Sequence, residues 1–188
     1  MSPKSSLFDG KFIMLIGGLL AALLVVIILS ITLSFRGGGV AERSQLLYLQ
    51  LSNLHASAGE YQNNLRSSSL RAVNSELSLQ LTNSIRELSI ALEGQGIDVS
   101  RINQGARPFV AQAEHNENLN ERLLNARLNA ALDRIYGVTM SYELELILSN
   151  INQITNATRS DELRETLDGI AANLQVLQER FSSIADQG

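Results

Sequence analysis

Two histidines are the side chains of this chain best suited to proton transfer or metal binding, and their spacing matches neither role. Ferritin-like bundles bind metals through inward-facing glutamates and two Glu-x-x-His pairs. Neither His55 nor His115 has a glutamate three residues before it. Glu143 and Glu145 lie two residues apart, so on a helix their side chains diverge and form no close acid/base pair. We therefore expect both histidines at the surface or at its boundary, and we predict no metal site.

Serine is plentiful, but the sequence contains none of the motifs that activate a serine or bind a phosphate. It has no Gly-x-Ser-x-Gly elbow, no glycine-rich phosphate loop and no accompanying His-Asp arrangement. The serine-rich stretches at 67–69 and 182–183 are typical of helix ends. The absence of cysteine excludes disulfides, thiolate metal sites and cysteine nucleophiles together. The sequence predicts no catalytic residue, no cofactor and no enzymatic activity.

The most unusual local composition is the asparagine-rich segment 116–133, NENLNERLLNARLNAALD. Within it the pattern Leu-Asn-x-Arg-Leu occurs at 119–123 and again at 124–128. If the segment is helical, its amide, guanidinium and carboxylate groups share one stripe. We predict this stripe as a candidate partner face, the alternative being a solvated helix face without a binding role. Its members are Asn118, Arg122, Asn125, Asn129 and Asp133.

The stretch from Phe12 to Phe35 is 24 residues long, contains no charged residue and is bracketed by Lys11 and Arg36. As a helix it reaches roughly 36 Å, enough to cross a hydrocarbon layer of about 30 Å. The run is longer than the ~7–15 apolar residues of a cleavable signal peptide. We therefore predict an uncleaved transmembrane helix over 12–35, after a short tail at 1–11. The basic residues before it favour a cytoplasmic N-terminus and an extracytoplasmic C-terminal domain.

Two overlapping pairs of small residues lie inside the predicted span, Gly17 with Ala21 and Gly18 with Ala22. Such pairs allow two membrane helices to approach closely. We predict them as a candidate contact between copies of the span.

Gly10 and the apolar run after it resemble the cleavage site of type IV prepilins. That pattern has an apolar residue directly after the glycine and a glutamate at the fifth mature position. This chain has Lys11 and Leu15 at those places. A divergent pilin-like subunit is therefore kept only as a third functional alternative.

Residues 40–188 are predicted to fold as one helical bundle. A glycine hinge at 36–39 is expected to separate this bundle from the span, because each glycine disfavours a helix interior by ~1 kcal/mol. Apolar residues at spacings of four and three predict long, coiled-coil-like helices with one buried face. The first such seam is Val40, Ser44, Leu47, Leu51, Leu54, Ala58, Tyr61 and Leu65. A change of helical phase after the serines at 67–69 predicts a second, antiparallel helix. Ser68 or Ser69 is expected to cap that helix, and Gly94 is expected to take the left-handed position that ends it.

A third helix is expected to start at Pro108 and to reach Gly137. A fourth follows, capped by Thr139 or Ser141, although one long helix kinked near Gly137 is the alternative. A last helix is predicted from the hydroxyl and acidic residues at 158–162 to about Ala185. The fold class is therefore all-α, an antiparallel bundle of four long helices, or five if one of them breaks near Gly137.

The charge distribution limits the possible partners. Residues 1–36 carry three basic residues against one acid, so −6 on the remaining residues gives the overall −4. An acidic domain without clustered positive charge argues against nucleic-acid binding.

The leading functional hypothesis is a membrane-anchored bundle of the cell envelope that acts by protein–protein contact, as a scaffold, an accessory subunit or an adhesin-like protein. Its partners would be the lipid bilayer and either another protein or a second copy of the chain. The alternative is an extracytoplasmic ligand-sensing bundle that signals through a partner.

Overall fold

Five α-helices make up the fold in the computed structural model, which describes residues 39–100, 102 and 106–185. They are α1 (Val40–Tyr61), α2 (Ser68–Gly94), α3 (Arg107–Leu128), α4 (Leu132–Ala157) and α5 (Asp161–Ala185). No β-strand occurs among the described residues. The predicted all-α fold and helical bundle are confirmed.

The predicted membrane span at 12–35 lies outside the described residues, as do the tail at 1–11 and the small residues Gly17, Gly18, Ala21 and Ala22. None of the five described helices combines the length and the hydropathy that are needed to cross a bilayer. The span and its helix contact therefore stay predictions.

Four of the helices form a ring in which each helix runs antiparallel to its neighbours, in the order α1, α2, α5, α4. The direction is clear from contacts at the two ends of a seam. On α1, Arg43 hydrogen-bonds Gln153 of α4, whereas Tyr61 at the other end packs against Tyr136. Short connections between α1 and α2 and between α4 and α5 also require antiparallel neighbours. The other seams are bridged by His55 with Thr82, Glu76 with Arg180 and Ser141 with Gln178.

The interior of the ring is largely apolar, and the seam predicted for α1 is buried in it from Ser44 to Tyr61, with Leu54 only 2% exposed. The first seam residue, Val40, is partly buried. One polar network crosses this core. The Tyr136 hydroxyl donates to Asn74 Oδ1 at 2.5 Å, and Asn74 Nδ2 donates to the Ala58 carbonyl at 2.8 Å. Burial raises the pKa of Tyr136, which keeps its hydroxyl a donor. Because a buried polar group is costly without its partner, this network aligns α1, α2 and α4.

The helix α3 lies outside the ring, against α1 and α4. It buries four side chains, Phe109, Leu119, Leu123 and Ala126, whereas α4 buries eleven residues. Asn120 of α3 accepts a hydrogen bond from the Ser57 hydroxyl of α1 at 3.2 Å. The fold therefore has five helices, which is the number predicted as the alternative to four. Segment 107–157 supplies two separate helices, and only the second belongs to the ring.

The break between α3 and α4 lies at 129–131, so its predicted place near Gly137 is wrong. Ala130 has a left-handed φ of 56°. The Ala130 N–H donates to the Arg127 carbonyl and the Ala131 N–H to the Ala126 carbonyl, which is the Schellman pattern that ends a helix. Gly137 lies buried within α4, where a Cβ would be 3.6 Å from Ala185 Cβ. The proposed caps Thr139 and Ser141 are likewise interior residues of α4.

Two further helix ends are shifted by one or two residues from their predicted positions. The α2 cap is Ser67, whose hydroxyl accepts from the Leu70 N–H at 3.3 Å, and not Ser68 or Ser69. The left-handed residue after α2 is Gly96, with φ of 71°, and not Gly94. At α5 the predicted hydroxyl cap is confirmed, because the Ser160 hydroxyl accepts from the Leu163 N–H.

Candidate functional site

The predicted partner stripe is only partly assembled on the surface of α3. Asn118, Arg122 and Asn125 are exposed on this helix. Asn129 is the C-terminal cap of α3, and its side-chain amide donates to the Asn125 carbonyl at 2.8 Å. Asn129 is exposed as well. Four of the five predicted residues are therefore exposed at α3, and the side-chain amide of one of them, Asn129, is already engaged.

Asp133, the last residue of the predicted stripe, has a different position. It lies in the first turn of α4, and its carboxylate accepts from the backbone N–H groups of Arg66 and Ser67 at 3.0 and 2.7 Å. These contacts hold the connection between α1 and α2 against the start of α4. The turn at 129–131 separates Asp133 from the α3 surface, because the chain does not continue as one helix.

The two copies of Leu-Asn-x-Arg-Leu face different surroundings. A shift of five residues turns a side chain by about 140° around a helix axis. The leucines of the first copy, Leu119 and Leu123, are therefore buried against the ring. Those of the second copy are exposed, Leu124 to 39% and Leu128 to 72%. We did not predict this difference in burial from the sequence, although it follows from the five-residue length of the repeat.

The acids of α3 also point away from the ring. Glu114, Glu117 and Glu121 are exposed, and none of them makes an ion pair with another described residue. Arg127, by contrast, lies over the ring of Tyr61, with its guanidinium carbon 5.9 Å from the ring centroid. Within residues 114–128, we call the exposed residues other than Arg127 the outer surface of α3. It comprises Glu114, Glu117, Asn118, Glu121, Arg122, Leu124, Asn125 and Leu128.

A histidine–glutamate pair lies at the seam between α3 and α4, next to this surface. His115 Nε2 is 2.8 Å from Glu143 Oε2 and 3.1 Å from Oε1. The His115 side chain is 30% exposed and that of Glu143 is 11% exposed. The hydrogen bond that the His115 imidazole donates to the Glu143 carboxylate raises the pKa of His115, while burial and the charge of Arg122 act in the opposite direction.

Sequence reasoning placed His115 at a boundary but did not find its partner. The two residues are 28 positions apart, which corresponds to roughly 42 Å along one continuous helix. Only the turn at 129–131 brings them together, and that turn contains no glycine to mark it. The second histidine, His55 of α1, shares a hydrogen bond with the Thr82 hydroxyl of α2.

The chemistry available to the pair is proton exchange and ion pairing. Within the part of the chain that the structure describes, no three His, Asp or Glu side chains are grouped to bind a metal.

Comparison with known proteins gives no match: no protein-family model, no curated protein and no solved structure is significantly similar to this chain.

Proposed function

We propose that the chain is a membrane-anchored helical bundle of the cell envelope that acts by binding another protein through the outer surface of α3. In this role it serves as a scaffold or accessory subunit and performs no chemistry itself. The apolar run at 12–35 supplies the tether, and the glycines at 37–39 let the bundle turn on it.

The observation that carries the proposal is the exposure of Leu124 and Leu128 on the least buried helix. Two leucines four residues apart on one helix face form an apolar strip, and exposed apolar strips with a polar rim are typical of protein interfaces. Glu121 and Asn125 lie three residues before Leu124 and Leu128, respectively, and border this strip. Their carboxylate and amide groups can supply the hydrogen bonds of an interface rim.

The position of α3 supports the same conclusion. The ring of α1, α2, α4 and α5 closes on itself, so α3 is not needed to complete the circuit of neighbours. Packing against the ring therefore does not determine the residue types on the outward face of α3, and these residues can be suited to binding a partner. The acids Glu114, Glu117 and Glu121 lie on this face without an intramolecular ion-pair partner among the described residues. They would repel a second copy of the same surface, which favours a partner with basic residues.

The experiment is affinity purification of the full chain from membranes solubilised near neutral pH. A separate sample is washed with alkaline carbonate, and the tether predicts that the chain stays in those washed membranes. The Leu124→Glu/Leu128→Glu variant is compared with a matched control, Leu79→Glu/Val176→Glu, which changes exposed residues of α2 and α5.

We expect a stoichiometric partner with the wild-type chain and with the control, and at least about ten-fold less with the α3 variant, as for the loss of interface anchors. Unchanged far-UV circular dichroism would show that both variants fold. Equal recovery with the two variants, or no stoichiometric partner at all, would contradict the proposal.

A further inference from the structure

The attachment of α3 to the ring depends on a small set of contacts. Its apolar contribution comes from the four buried side chains named above. On the α1 side, the Ser57 and Tyr61 hydroxyls donate to Asn120 at 3.2 and 3.5 Å, and Arg127 lies over the Tyr61 ring. On the α4 side, the polar contact is the His115–Glu143 pair. The pair lies near the middle of α3, where it holds the helix against α4.

Glu143 belongs to the buried residues of α4, and the imidazole of His115 is the partner that its carboxylate contacts. A carboxylate at such a site is stabilised by a positive neighbour and destabilised when that neighbour becomes neutral. The strength of the connection between α3 and α4 is therefore coupled to the protonation of one side chain.

We propose that the His115–Glu143 pair fastens α3 to the ring, and we call this pair the clasp. When the His115 imidazolium loses its positive charge by deprotonation, α3 opens away from α4 more often. The ring helices keep their mutual contacts when α3 opens. The clasp does not depend on the partner proposed above, because it follows from contacts within the chain.

The charged groups around the imidazole set the direction of the pH dependence. Glu143 of α4 favours the charged form, and Arg122 of α3 disfavours it. Among the described residues, α1 contributes no charged group that acts on His115. The neighbouring Tyr142 keeps its proton near neutral pH, because burial raises the pKa of its phenol above the ordinary 10.0.

Because the pKa of His115 is raised in the folded state, the clasp is fully engaged below the ordinary histidine value of 6.5. Its contribution is lost as the pH rises through the higher folded value. Opening of α3 is therefore more frequent in mildly alkaline than in mildly acidic solution.

The absence of cysteine allows a direct test in the full-length chain. Ala126→Cys places a thiol on the buried face of α3, and Ala111→Cys places one on its exposed face. The labelling rate of the Ala126→Cys chain is divided by that of the Ala111→Cys chain at each pH, which removes the intrinsic effect of pH on thiol reactivity. Ala91→Cys, at a position 2% exposed on α2, reports opening of the ring itself.

We expect the normalised labelling of the Ala126→Cys chain to rise about three-fold or more between about pH 6 and about pH 8.5, within the range that a partly buried histidine pair can contribute. The ratio should be flat with pH when His115→Gln is added. Arg122→Gln should move the rise to higher pH, because a charge that opposes protonation is removed.

Three results would overturn the clasp. The first is a flat ratio in the chain that retains His115, and the second is an equal rise after His115→Gln. The third is a parallel rise for Ala91→Cys, which would mean that the whole bundle loosens. A partner need not be present, so failure of this test leaves the proposed function standing, and failure of the partner experiment leaves the clasp standing.

Discussion

Two residues of the described chain have a left-handed backbone, and only one of them is a glycine. Gly96 follows α2 and Ala130 follows α3, each in a Schellman turn. A Cβ in the left-handed region costs roughly 1–2 kcal/mol, partly offset by the larger entropy that glycine loses on folding. Ala130 therefore retains strain that Gly96 avoids.

The two positions give opposite predictions for the reciprocal substitutions. Ala130→Gly should raise the free energy of unfolding by about 0.5–1 kcal/mol, and Gly96→Ala should lower it by about 1 kcal/mol. No atom lies within 4 Å of a Cβ built at Gly96, so its loss would come from the backbone alone. Urea denaturation followed by far-UV circular dichroism measures both. Changes of the same sign would contradict the assignment of the turn at 129–131.

Asp133 and Asn125 separate structural from recognition residues within the predicted stripe. Asp133→Ala should lower the free energy of unfolding by about 1–2 kcal/mol, because the N–H groups of Arg66 and Ser67 lose their acceptor. Asn125→Ala should change it by less than about 0.5 kcal/mol, because its side chain is exposed. Denaturation of the two variants in parallel tests this, and an equal effect would mean that Asp133 is a surface residue, as the stripe predicts.

At the scale of elements, the sequence predicted which faces are buried more accurately than where helices end. The four-three spacing of apolar residues in α1 follows from helix geometry, and its core positions are buried as expected. The end of a helix depends on only one or two residues, and the sequence predicts helix ends at Gly94 and Gly137. The chain uses Ala130 for the turn and Gly137 for packing inside α4, so the break was predicted about seven residues too late.

The two interpretations of Gly137 predict opposite effects of alanine there. In the structure a Cβ at Gly137 would meet Ala185 and Leu70 at 3.6 and 3.7 Å, which is ordinary contact. Gly137→Ala should therefore stabilise the bundle by up to about 1 kcal/mol through helix propensity. Gly169→Ala, at an open position of α5, is the matched control and should behave alike. A loss of stability in Gly137→Ala alone would indicate a helix break at this residue.

At the scale of the whole molecule, the candidate site could be predicted only as far as local periodicity reaches. Asn118, Arg122 and Asn125 lie together because they belong to one helix. The pairing of His115 with Glu143 and the removal of Asp133 from the stripe both follow from the fold-back of α4 on α3. Such contacts between elements have no periodic signature in a single sequence.

The whole fold also accounts for the different roles that we propose for the ring and for α3. An acidic bundle with a closed ring supplies a stable support, and the outer helix presents Leu124 and Leu128. A tether at 12–35 would hold this surface near the membrane and keep its partner at high local concentration.

The most direct test of this account is photo-crosslinking in intact membranes, with a crosslinking amino acid placed at Leu128 in one chain and at Val176 in another. Both positions are more than half exposed, on α3 and α5 respectively. We expect one defined protein adduct from position 128 and none from position 176. No adduct from position 128, or the same adducts from both positions, would contradict it.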